Sequence, residues 1–96
     1  GHGNRSCDDQ IPSIMRLGNR IKALHINDNL GDTDLHTMPF LGSVPWENVM
    51  HALYVSGCDA DLIYEIRINS CMPDPLMDLS ARYCREVGEY LLTLYR

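Results

Sequence analysis

Apolar residues recur at helical spacing in three stretches of this chain and run almost unbroken in two short ones. The first helical stretch is "DDQIPSIMRLG". Asp8 or Asp9 can cap it, Pro12 is tolerated if it lies in the first turn, Ile11, Ile14 and Met15 recur at helical spacing, and Gly18 stops it. "RIKALHI" follows as a short strand with Ile21, Ala23 and Leu24 apolar on both faces, as in a parallel strand covered by helices. "PWENVMHALYVSG" reads as a second helix, with Pro45 near its first turn, a stripe of Trp46, Val49, Met50 and Leu53, and a stop at Gly57. "ADLIYEIRI" reads as a second buried-type strand, holding Leu62, Ile63, Tyr64 and Ile66. After a loop at "NSCMPDP", the last helix runs through "LMDLSARYCREVGEYLLTLYR", with Leu79, Tyr83, Val87, Tyr90, Leu91 and Leu94 expected on its packing face. Strands alternating with helices are the signature of βαβ units and a parallel sheet. Two strands neither close a sheet nor cover its edges, so the pattern points to a piece of a larger α/β architecture or to a chain that pairs with copies of itself.

Composition narrows the function. At 96 residues the chain makes one small unit, read as a single incomplete domain over 1–96. A net charge of −5 and eight scattered Lys and Arg argue against a nucleic-acid groove, which needs clustered positive charge. No apolar stretch approaches the ~18 residues of a membrane span, and nothing resembles a signal peptide. Cys7, Cys58, Cys71 and Cys84 show no CxxC spacing, so free thiols in a reducing cytoplasm are expected rather than a zinc ribbon.

The candidate chemistry gathers at the ends of the two strands. His25 closes the first and Glu65 lies near the end of the second, where βα loops converge in parallel folds. The segment from Asn27 to Ser43 far exceeds the roughly 2–6 residues usual for such a connection, and long loops there are commonly functional. It contains "DLH", so Asp34 and His36 can point the same way if the backbone is extended. Imidazole nitrogens and a carboxylate suit Mn²⁺, Co²⁺, Zn²⁺ or Mg²⁺. A strand-end histidine equally serves as a hydrogen-bonded structural residue, and Asp and His are ordinary in loops. Glu65 is the stronger signal, because an unpaired carboxylate in an apolar strand costs several kcal/mol to bury. His51 falls off the helical stripe and reads as a surface residue.

"GHGN", then "RLGNRIKALHINDNLGDTDLHTMPFLGSVPWENVMHAL", then "GCDADLIYEI" together resemble the C-terminal part of the xylose-isomerase-like TIM barrels. This superfamily includes sugar-phosphate isomerases and epimerases and the endonuclease IV-type enzymes. Its members read D-x-G-H at the sixth strand, H-[LIV]-x-D at the seventh, then D-x-H-x-x-P-G-x-G with an aromatic residue beyond, and carry Glu on the eighth. The resemblance implies an α/β fold, the portion of a (β/α)8 barrel from the end of strand 6 through helix 8, with parallel strands and covering helices. It implies His25 and Glu65 as metal ligands, Glu65 also as catalytic base, and His2, Asp34 and His36 as substrate-binding residues. Asp34 and His36 hold a further metal in the endonuclease branch. Asp28 matches an Asp that orients its neighbours.

The sequence departs from the pattern at Phe40, where a Gly is expected, and at Gly31, in the region where the ketohexose epimerases carry an arginine. Two further ligands, the Asp of D-x-G-H and a strand-four glutamate, would precede Gly1. The resemblance therefore implies a C-terminal fragment of a divalent-metal-dependent sugar or sugar-phosphate isomerase or epimerase, inactive by itself. Proton abstraction would pass through an enediolate, and the partners would be the sugar and either the remainder of the barrel or further copies of the chain. The alternatives are a standalone, self-associating half-barrel binding module without catalysis, or a fragment of an abasic-site endonuclease, against which the acidic charge counts.

Overall fold

Pro45 and Gly57 bracket the best-buried helix of the computed structural model, which describes residues 1–68 and 71–96. In chain order the elements are α1 (His2–Ser6), α2 (Ile11–Leu17), a 3-10 turn (Gly18–Arg20), β1 (Leu24–Ile26), α3 (Trp46–Val55), β2 (Leu62–Tyr64) and α4 (Asp74–Thr93). Pro12 sits in the first turn of α2, and Asp9 accepts the Ile11 N–H at 3.0 Å, although the cap position itself is Gln10. Gly18 ends α2 with φ of +52°, and a Cβ there would lie 2.7 Å from the Ser56 carbonyl oxygen, so both conformation and close approach require glycine.

Trp46, Val49, Met50, Ala52 and Leu53 are buried on one face of α3. They pack with Ile26 of β1 and with Val87 and Leu91 of α4. Burying aliphatic side chains of this size stabilises by about 1.5–3 kcal/mol each. β1 and β2 pair in parallel, with Leu24 opposite Leu62, His25 opposite Ile63 and Ile26 opposite Tyr64. Leu24, Ile26, Leu62 and Tyr64 join the core, whereas His25 and Ile63 are exposed on the other face. Tyr64 donates its hydroxyl to the Cys84 carbonyl at 2.7 Å, tying the sheet to α4, and burial pushes its pKa up to about 12.

Three expectations need correction. First, the expected portion of a (β/α)8 barrel is not what forms. Among the described residues there are four α-helices and one two-stranded parallel sheet, and "GHGN", expected as the end of a strand, folds as α1. Barrel closure requires every strand to have hydrogen-bonded neighbours on both sides, and here β1 and β2 have only each other. Second, the strands are shorter and less covered than their apolar runs suggest. β1 starts at Leu24 rather than near Ile21, and Ile63 is 48% exposed because no layer packs on that face of the sheet. Third, Leu79, Tyr83 and Tyr90 are about half exposed, and only Val87 and Leu91 of α4 are buried. α4 also begins at Asp74, within the expected loop, of which Asn69 and Ser70 lie outside the described residues. Cys7, Cys58 and Cys84 carry free thiols, and among the described residues no helix is long and apolar enough to cross a membrane.

Candidate metal and sugar site

Side-chain alternation sends His25 and Glu65 to the same open face. His25 pairs with Ile63 across the sheet, and Glu65 follows Ile63 by two residues. The ladder continues one step past β2, where the Glu65 N–H donates to the Ile26 carbonyl at 3.0 Å. This fixes the root of Glu65, and His25 Nδ1 lies 3.7 Å from Glu65 Oε1. Both side chains are about half exposed, so Glu65 is not the buried strand carboxylate that the apolar run suggested.

The long segment after β1 contains no helix or named strand, yet its polar groups are well partnered. Asp28, fully buried, organises it. One carboxylate oxygen accepts the Asn29 N–H at 2.8 Å and the Val44 N–H at 3.1 Å. The other accepts the Phe40 N–H at 3.0 Å and the Trp46 indole N–H at 2.8 Å. Four donors satisfy a charge that would otherwise be costly to bury. The main chains of Asp28 and Thr37 also exchange a pair of hydrogen bonds, which folds the segment back on itself. Phe40, standing where glycine was expected, adopts φ of +73°, the left-handed region in which a bulky residue is strained by about 1–3 kcal/mol. Its N–H bond to Asp28 and its ring contact with Tyr90, at 5.5 Å between centroids, help hold it there.

The fold-back delivers Asp34 and His36 to Glu65. His36 is left-handed, with φ of +52°, so the two side chains meet through a turn rather than along an extended backbone. The Arg67 N–H donates to the His36 carbonyl at 2.9 Å, pinning the loop to the chain after β2. His36 Nδ1 lies 3.0 Å from the Glu65 carbonyl oxygen and 3.7 Å from Glu65 Oε2. His36 Nε2 lies 2.9 Å from Asp34 Oδ2, and His2 Nε2 approaches the same oxygen at 3.0 Å. His2 comes from α1, which is held by Asn4 Nδ2 donating to Asn29 Oδ1 and Asn29 Nδ2 donating to the Gly1 carbonyl, both at 2.8 Å. All five residues expected at the site thus form one continuous series, His25, Glu65, His36, Asp34, His2. His51 lies apart, exposed on α3 with Nδ1 on the Arg96 carbonyl.

The hydrogen bond between Asp34 and His36 sets the local electrostatics. It holds the Asp34 carboxyl below its ordinary range and, together with the Glu65 carbonyl, raises the His36 imidazole above its usual value. One participant was not anticipated. Asn27 is almost wholly buried between the two groups, with Nδ2 3.2 Å from His36 Nδ1 and 3.5 Å from Glu65 Oε2. Strand alternation from His25 to Asn27 was the signal that could have found it.

The donor set suits a divalent ion. His2, Asp34 and His36 each offer a ligand atom, all within 4.8 Å of one another, and the buried Asp34 Oδ1 has no hydrogen-bond partner. If His36 donates Nδ1–H to the Glu65 carbonyl, its Nε2 lone pair faces the cluster, the arrangement usual for a ligating histidine. His25 and Glu65 add a second nitrogen–carboxylate pair.

No protein-family model matches the chain, and no solved structure matches it. It is 31% identical over 65 residues to an uncharacterized protein, y4fM, of Sinorhizobium fredii (strain NBRC 101917 / NGR234). The match covers 68% of this chain, which spans only 21% of that protein's length.

Proposed function

We propose that this chain supplies part of a divalent-metal-dependent isomerase or epimerase acting on a sugar or sugar phosphate in the cytoplasm. The observation that carries the reading is the continuous series from His25 through Glu65, His36 and Asp34 to His2, drawn from three separate segments onto one face. His25 and Glu65 would hold the ion, with Mn²⁺, Co²⁺, Mg²⁺ or Zn²⁺ suited to such donors. The bound ion supplies Lewis-acid polarisation of a carbonyl and its neighbouring hydroxyl. Glu65, half exposed and rooted by its backbone bond to Ile26, takes the proton alpha to that carbonyl, leaving an enediolate, and returns a proton to one of its two carbons. Asp34 accepts from sugar hydroxyls, while His2 and His36 orient Asp34 and donate to the sugar. Two donors at His25 and Glu65 fall short of the four or more that such ions take, so this chain by itself is expected to be inactive. Cytoplasmic placement is supported by the free thiols of Cys7, Cys58 and Cys84. The net charge of −5 speaks against a nucleic-acid substrate.

A second reading is favoured by the His2–Asp34–His36 cluster, in which those three residues hold the ion. Calorimetric titration with Co²⁺ separates the two. If the first is right, His25→Ala and Glu65→Gln each weaken binding at least about tenfold, as removal of a ligand should, and Asp34→Asn leaves it within about threefold. The reverse pattern establishes the cluster as the metal site, and no binding by the unaltered chain at millimolar Co²⁺ removes both readings. Deuterium uptake at the carbon beside a ketose carbonyl in D₂O, followed by NMR with and without added metal, tests proton transfer directly.

A further inference from the structure

We propose that the exposed apolar stripe on the N-terminal half of α4, formed by Leu76, Leu79 and Tyr83, is a docking surface for a second copy of this chain, two α4 helices packing antiparallel about a two-fold axis near Leu79 and Ser80. The three side chains recur at i, i+3 and i+7, the spacing that puts residues on one helical face. Each is 46–51% exposed, although the same helix buries Val87 and Leu91 further along.

The amount of uncovered surface points to a copy rather than a small ligand. The accessible surface is 6432 Å² for 10.9 kDa. A folded monomer of that mass exposes about 5,600 Å². The excess, roughly 850 Å², approximates the ~800 Å² that each partner buries in a standard protein–protein interface. Shape agrees, since the radius of gyration is 13.8 Å against the ~12.5 Å expected for this length. A two-fold helix pair is self-complementary, so one stripe serves both partners. Ser80 and Ala81, small residues at its middle, let the helices approach closely. The interface is independent of the metal and sugar reading, because no residue of the candidate site contributes to it.

The test is sedimentation equilibrium of the intact chain from about 1 to 200 μM, with Leu79→Lys, Leu79→Glu and their equimolar mixture. The expected result is a dimer of twice 10.9 kDa for the unaltered chain. Each single variant should associate at least about tenfold more weakly, as for loss of a central anchor. Mixing them should restore a heterodimer, because the introduced ammonium of one variant faces the introduced carboxylate of the other across the axis. A monomer at every concentration overturns the proposal. So does a dimer that Leu79→Lys leaves intact, which would place the contact on another face or mean that a different polypeptide covers the stripe. Circular dichroism checks that each variant folds, and Leu76→Lys, one turn away, replaces either variant that does not.

Discussion

The segment from Asn27 to Pro45 and the first half of α4 are opposites. The segment lacks regular secondary structure, yet its buried carboxylate meets four donors and its ends are fastened to β2 and α3. The start of α4 has the hydrogen-bonded regularity of a helix but buries no side chain before Val87. Regular backbone bonding and tertiary anchoring are separate sources of order. A helix satisfies its own amides wherever it lies, whereas an irregular segment persists only if other groups satisfy it. The candidate site sits on the irregular element because its backbone turns, including left-handed His36, bring residues of three segments together.

Four perturbations put this contrast to the test. Asp28→Ala should have the largest effect, about 3–5 kcal/mol of stability lost, because it strands four donors in a dry interior. Chemical denaturation would measure it, and a loss below about 1 kcal/mol would mean that the segment is held otherwise. Next, Leu91→Ala in α4 should cost about 2–5 kcal/mol, whereas Leu79→Ala should stay within about 0.5 kcal/mol in dilute solution. Equal costs would show both halves of the helix packed.

Gly42→Ala comes third, at about 1–3 kcal/mol, since a Cβ there would lie 2.3 Å from both the Asn29 carbonyl oxygen and Asp28 Oδ1. Thermal melts that show no change would mean the Asn29–Gly42 contact yields freely.

The smallest effect concerns pH. Because Asp34 raises the His36 pKa, their attraction is fully present below the ordinary histidine value near 6.5 and is lost as pH rises through the raised one. On the acid side it fades as pH falls from the ordinary aspartate value, 3.8, through the lowered Asp34 value. The pairing therefore operates between those limits, and metal binding, which needs neutral imidazole, strengthens above them. NMR titration should find His36 titrating above 6.5 in the unaltered chain and lower in Asp34→Asn. An unchanged His36 titration would mean that Asp34 is not its partner in solution.

Local features of the fold were legible where the chemistry is local. Pro45 and Gly57 mark the bounds of α3 to within a residue or two, and Gly18 stops α2. Trp46, Val49, Met50 and Leu53 form the buried stripe their spacing predicted. The residues of the candidate site were also readable by type and position. What joins His25 to Glu65, and both to the "DLH" turn, was not, because it depends on backbone reversals around Asp28 that no periodicity encodes.

Residue order alone sets where helices start and stop, which face of α3 is apolar, and which side chains are capable of metal or proton chemistry. These follow from backbone preferences and side-chain functional groups that act within a few residues. It took the packed chain to make Asp28 a buried anchor rather than a ligand, to leave Leu79 and Tyr83 uncovered, and to stop the sheet at two strands. Burial and strand pairing depend on what lies opposite each residue in space, and that partner is set by the whole chain.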